Sequence, residues 1–380
     1  MGPLKGITIV EFAGIGPGPF CGMMLADQGA NVIRIDRKTG NNLPVTQPPG
    51  TDVLARGRRS IAIDLKSTAG KALAMGLVEK ADGLLEGYRP GVMERLGFGP
   101  EDCFKVNPKL VYGRMTGYGQ FGPMSHLAGH DINYISIAGA LGAFQRKGDK
   151  PMPPVNYVAD FGGGGMLLAF GMVCALLEAR TSGKGQVVDA AMTDGAALLG
   201  AMIYGLRASG DWRDEAGVNF LDTGAHFYEV YETSDGKYMG IGPLEPQFYA
   251  EFLRRMGLQG SEFENQMDRD RWPAFKDKLT ALFKGKTQAE WTAIFADCDA
   301  CVTPVLDPAG AVNHPHNKAR QTFVEVAGVV QPAPAPRFSR TPGAISRAPA
   351  DTGAHGAEIL AEMGFESSEI AQLRADGVIV

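Results

Sequence analysis

Short runs rich in aliphatic and β-branched residues, ITIVEF, NVIRID, SIAIDL, GLLEG and LVYGRM, recur between residues 7 and 119, separated by helical stretches such as TAGKALAMGLVEKA. Strands that alternate with helices of this length predict a parallel sheet covered on both faces. A long apolar helix follows over about 162–180, then SGKGQ and the strand QVVDAAM. Near residue 226 the pattern changes. HFYEVYETSDGKYMGIG alternates apolar and polar residues on each side of SDG, a hairpin signal, and aromatic-rich helices come after it. The expected organisation is a large parallel-sheet α/β domain over 1–190, linker helices over 191–225 and a smaller α+β domain over 226–305. Residues 306–350 form a return linker, and C-terminal helices over 351–380 pack on the large domain. The stretch 307–350 carries many of the chain's 24 prolines and little periodicity, as expected of a long linking or functional loop.

The first strand leads into EFAGIGPGPF, and Gly14, Gly16 and Asp36 fit the outline of a dinucleotide fingerprint. The fingerprint fails where its chemistry lies. The sixth position counted from Gly14 is Pro19, and Pro17 removes an N–H that should donate to phosphate. NAD binding is therefore not expected.

Net charge is −5 over 380 residues with no long single-sign run, which argues against a broad nucleic-acid or anionic-membrane surface, although RGRR at 56–59 reads as a local basic patch. Five cysteines, an odd and small number, predict free thiols and a cytoplasmic setting. Cys298 and Cys301 form a C-x-x-C without a second pair or a nearby histidine, so no metal site is expected. The first structural run begins at residue 7, so no signal peptide is expected. The longest apolar run, 161–177, opens with four glycines and reads as a buried helix, not a membrane span.

Two stretches hold the ionisable residues of interest. In LAGHDINYIS, Gly129 ends a loop, and His130 and Asp131 stand where a helix begins and unpaired N–H groups favour negative charge. Adjacent helical residues do not face each other. The better arrangement has the Asp131 N–H beside the His130 imidazole, a base next to an oxyanion site; the plain alternative is a capping aspartate and a structural histidine. In VNYVADFGGGGM, Asp160 precedes four glycines that let something approach the backbone closely; the plain alternative is Asp160 as an N-cap.

Both stretches, together with VEFAGIGPGPF, RGRRSIAIDLKS, EGYRPGVMERLG, RMTGYGQFGP, SGKGQVVDAAM, GPLEPQFY, CVTPV and APRFSRTP, resemble blocks of the class III CoA-transferase family, in family order and across essentially the whole chain. The closest resemblance is to the racemases of that family. It implies a Rossmann-like large domain whose glycine turn is given over to coenzyme A, and an interlocked homodimer in which the small domain of one chain helps enclose the site of the other. It also implies His130 and Asp160 as two catalytic bases, with Glu245 orienting and charging the histidine. Arg37, Ile63, Asp64, Leu65, Lys66, Arg89, Arg95, Gly129, Asp131, Tyr134, Asn156 and Tyr228 match segments that contact the CoA ester. Phosphates on a flexible arm call for arginine or lysine at several points; the plain alternative for each arginine taken alone is a solvated surface charge.

The implied activity is interconversion of (2R)- and (2S)-2-methylacyl-CoA by proton transfer through an enolate. It needs no cofactor, because CoA is part of the substrate, and burial should raise the pKa of Asp160. The alternative within the family is a CoA-transferase with Asp160 as nucleophile. An alternative outside it is a silent CoA-ester binder. Met192 and Met202 are either an adaptable acyl surface or ordinary core.

Overall fold

The computed structural model describes residues 2–38, 48 and 50–380. Strands β1 (Thr8–Phe12), β2 (Asn31–Asp36), β3 (Arg59–Ala62), β4 (Gly83–Glu86), β5 (Val111–Thr116) and β6 (Gln186–Ala191) form one sheet in the order β3-β2-β1-β4-β5-β6. Every pairing is parallel, with Val10 opposite both Ile33 and Leu84. β3, β4 and β5 are buried at every position, as strands covered on both faces must be. The α/β expectation holds, and this order is that of a doubly wound sheet.

Two compact units make up the chain. The first contains residues 1–138, 155–199 and 319–380, and the second 139–154 and 200–318. In the first unit the C-terminal helices Gly356–Met363 and Ser367–Ala375 place Ile359, Leu360 and Ile370 in one core with Val10, Phe12, Ile33, Leu73 and Leu84. Helix Leu167–Ser182 rests on β4 and β5 through Leu168 and Met172, whose side chains occupy the space a Cβ at Gly83 or Gly113 would need. Residues 157–182 are long and apolar enough to span a bilayer. They are only partly buried: Met166, Phe170, Val173 and Leu177 line an exposed apolar face, so the expectation of a buried helix holds for one side alone.

The RGRR segment is not a surface patch. Arg56 is paired bidentately with Asp27 at 2.6 and 3.1 Å, Arg58 with Glu11 at 2.9 Å, and Arg59 with Glu358 and Glu362 at 2.8 and 2.6 Å. All three arginines are buried. Their charge is consumed internally because each meets a carboxylate that only the folded chain brings near. Arg56 also donates to Gln331 Oε1 at 2.9 Å. Gln331 lies in a hairpin, β10 (Phe323–Val326) and β11 (Val329–Pro332), within the stretch expected to lack regular structure. The signal was local: Ala327 and Gly328 turn the chain with φ of 51° and 80°, the conformation of a two-residue hairpin loop.

In the second unit, β7 (Glu229–Glu232) and β8 (Tyr238–Ile241) are the expected antiparallel hairpin about Ser234-Asp235-Gly236, and β9 (Val302–Pro304) adds antiparallel to β8. Helices Pro246–Met256, Trp272–Phe283 and Gln288–Ile294 bury an aromatic core that includes Phe227, Tyr249, Phe252, Trp272, Phe275 and Phe283.

Candidate active site

Order reverses between β1 and β4, and in such sheets ligands bind outside the carboxyl ends of the strands at that point. A cleft of about 600 Å³ opens there. Its walls are Gly16 and Pro17 after β1, Gly87 to Pro90 after β4, Met115 to Tyr118 at the end of β5, and then Gly129, His130, Tyr134, Asp160 and Met192. The two acid–base candidates, 30 positions apart in the chain, therefore face one cavity.

His130 is the exposed N-cap of helix Asp131–Ile137, and its backbone N–H donates to Asn133 Oδ1 at 3.0 Å. Asp131 does not cap its own helix. Its buried carboxylate reaches across to accept the backbone N–H groups of Ala159 and Asp160 at 2.7 and 2.8 Å. Among the hydrogen bonds of the described residues the Asp131 N–H finds no acceptor. Tyr134 donates its hydroxyl to Gly129 O and packs edge-on to Tyr118, so the loop ahead of His130 is braced by two rings.

Asp160 is not an N-cap either. It stands inside a ten-residue π-helix, Tyr157–Met166, a winding that is rare and concentrated at functional sites. Its Oδ2 accepts from Asn156 Nδ2 at 3.1 Å. Burial raises the Asp160 pKa, as expected from the sequence; the Asn156 hydrogen bond opposes that, the Asp131 charge adds to it and His130 opposes it.

The four glycines that follow serve close packing of protein on protein. A Cβ at Gly163 would lie 2.6 Å from Ala196 N, and one at Gly165 2.8 Å from Pro17 O. Helices Met192–Leu199 and Pro17–Asp27 thus touch the π-helix at its backbone. What approaches is the fold itself, not a ligand, and the result is that the glycine turn after β1 sits against Asp160: a Cβ at Gly16 would be 3.5 Å from Asp160 Oδ2.

Of the other expected residues, Arg89 lines the same cleft and Asn156 stands behind Asp160. Arg37 lies over the Tyr88 ring and lines a second cleft of about 270 Å³ with Gly14, Arg34 and Asp36. Ile63 is buried and bridges Ile379, Asp64 accepts from Lys66 N at 3.0 Å, and Leu65 packs against the core. The Arg95 guanidinium lies by Gly91, 3.2 Å from where its Cβ would be. Glu245, Tyr228 and Met202 belong to the second unit. Tyr88 and Tyr118 line the cleft without having been expected there, since a single tyrosine after a strand reads as core or rim equally well. Among the described residues no group of His, Cys, Asp or Glu is arranged to hold a metal; Cys298 and Cys301 are free thiols.

A doubly wound sheet with an acid and an imidazole at its switch point defines an α/β protein with acid–base groups in a cleft, and comparison with known proteins gives its family. Residues 4–356 match the model of CoA-transferase family III, and the chain belongs to that family. It is 46% identical to the α-methylacyl-CoA racemase of Mus musculus and 45% identical to that of Homo sapiens, in each case over 99% of this chain and 97% of the relative. The succinyl-CoA–D-citramalate CoA-transferase of Chloroflexus aurantiacus is 30% identical over 99% of this chain and 98% of its own. Among solved structures, a CAIB/BAIF family protein from Brucella suis superposes with a TM-score of 0.82 at 26% identity, covering 95% of this chain and 99% of the other.

Proposed function

We propose that the protein is an α-methylacyl-CoA racemase that interconverts (2R)- and (2S)-2-methylacyl-CoA, with His130 and Asp160 as its two bases. The observation that carries this reading is that both side chains enter one cleft in a chain 46% identical to a racemase of that name.

The α-proton of a thioester is weakly acidic, and its removal from C2 leaves the charge on the thioester oxygen as an enolate. In one direction neutral His130 takes the proton from one face while protonated Asp160 returns one to the other; in the reverse direction the roles exchange. A carboxyl raised by burial suits the protonated role. The unpaired Asp131 N–H supports an oxyanion contact, and such a donor is worth roughly 3 kcal/mol to a transition state. No cofactor enters this scheme. Arg37, Arg89, Arg95 and the segment Ile63 to Lys66 are the groups proposed to hold the CoA moiety.

The active species is proposed to be a homodimer in which Glu245 and Tyr228 of one copy complete the site of the other. The exposed row Met166, Phe170, Val173 and Leu177 supports this, because a continuous apolar face of that kind is commonly covered by a partner.

Incubation of either epimer of 2-methylacyl-CoA in heavy water tests the reaction. The expected product is a mixture of both epimers bearing deuterium at C2, with no free CoA released. Acyl exchange onto an added carboxylate without epimerisation would instead make Asp160 a nucleophile and the protein a transferase.

A further inference from the structure

The Glu245 side chain is exposed and accepts no hydrogen bond from any described residue, yet its backbone is held from every side. Gln266, buried and 21 positions further along, donates from Nε2 to Pro243 O at 2.9 Å and to Leu244 O at 3.0 Å. The second of these oxygens belongs to the peptide that joins Leu244 to Glu245. On the other side, Pro246 confines Glu245 to an extended backbone, observed at φ −75° and ψ 146°. Leu244 N closes a tight turn on Gly242 O at 2.9 Å, and Gly242 N bonds Cys301 O at 2.9 Å.

Gln266 is itself anchored. Its carbonyl accepts the indole N–H of Trp272 at 2.8 Å, and that ring lies in the core. The helix that Glu245 opens is anchored one turn further on, where the Tyr249 hydroxyl lies 2.7 Å from both Phe263 O and His226 Nε2. A free carboxylate on so constrained a backbone is a group presented for use elsewhere.

We infer that Gln266 is a positioning residue for Glu245: by holding the carbonyls of Pro243 and Leu244 it sets the peptide plane entering Glu245, and so the direction in which that carboxylate points. The inference rests on the reading that Glu245 acts on the histidine of the site. Placement errors near 1 Å cost on the order of 100-fold in rate, so loss of one of several constraints should cost about tenfold.

The test is a double-mutant cycle in the full-length protein. Gln266→Leu removes both donors and should lower kcat about tenfold, with KM within about twofold of the parent, chiefly in the direction that uses His130 as base. In a Glu245→Gln background the same change should lower kcat no further. Should Gln266→Leu fail to fold, Gln266→Asn, one methylene too short to reach both carbonyls, takes its place in the cycle. An effect of Gln266 that multiplies with that of Glu245→Gln would overturn the positioning role and leave the role of Glu245 standing. Parent-like kcat in Glu245→Gln would overturn both.

Discussion

The carboxylate of Asp131 accepts the backbone N–H of Asp160 at 2.8 Å, so the residue beside one proposed base holds the main chain of the other. The same oxygen takes the Ala159 N–H at 2.7 Å. Removing it strands two N–H groups at the start of the π-helix, each costing about 1–3 kcal/mol if left unpaired. Asp131→Ala should therefore lower the urea midpoint and the rate of racemisation together. Asp131→Asn keeps an acceptor and loses a charge that raises the Asp160 pKa. It should cost less stability and move the Asp160 limb of the pH–rate profile to lower pH.

Asp160 carries a stability signature of its own. Its folded-state pKa lies above the ordinary value of 3.8 because burial penalises the carboxylate. Folding thus favours the protonated form. Its contribution to stability is complete below the ordinary value and is lost as pH rises through the raised one. Asp160→Asn cannot ionise, so denaturation series should show the variant gaining on the parent as pH rises across that window, while its racemase activity falls by at least about 100-fold.

If the two bases serve opposite faces of C2, inversion needs both and proton exchange needs one. His130→Ala and Asp160→Ala should each lose racemisation by about 100-fold or more, yet still wash the α-proton of one epimer into solvent, a different epimer in each case. Deuterium incorporation read by mass spectrometry beside chiral analysis separates the two events. Parent-like inversion in either variant would sink the two-base assignment.

A shared site in a dimer predicts complementation. Co-expressed His130→Ala and Glu245→Ala chains should form heterodimers in which one site has both residues, with activity above that of either variant alone. Activity no greater than that of the two parents would place Glu245 and His130 on the same chain or deny them a joint role.

The glycines of the π-helix should differ from those elsewhere. Gly163→Ala drives a methyl to 2.6 Å from Ala196 N and should cost about 1–3 kcal/mol or more in thermal unfolding. Gly205, in helix Ala201–Ser209, has nothing within 4 Å of its would-be Cβ. Gly205→Ala should stabilise the protein by about 0.5–1 kcal/mol.

Much of this was legible beforehand because it is written in short-range pattern. The β-rich runs between helical stretches pointed to a parallel sheet, since strands buried on both faces are mostly apolar and successive strands joined by crossover helices run the same way. The pair Pro17 and Pro19 departs from a dinucleotide fingerprint by removing N–H groups, and SDG turned the β7–β8 hairpin. His130 and Asp160 stood out as ionisable residues in unusual local settings, and the order of the motifs identified the family.

Other features depended on groups that are distant in sequence and meet only after folding. RGRR reads as exposed charge until Asp27, Glu11, Glu358 and Glu362 arrive from three separate elements to neutralise it. Four consecutive glycines announce a close approach without saying of what, because the approaching helices begin at Pro17 and Met192. Asp131 looks like a helix cap by position and becomes a brace for Asp160 only because helix Asp131–Ile137 packs against the π-helix and brings residues 131 and 160 together. Local propensity follows from a residue and its near neighbours, so the chain's own pattern determined where strands, turns and helices lie. Charge pairing, backbone contact and pKa depend on distance and burial, and those were decided by the tertiary structure alone.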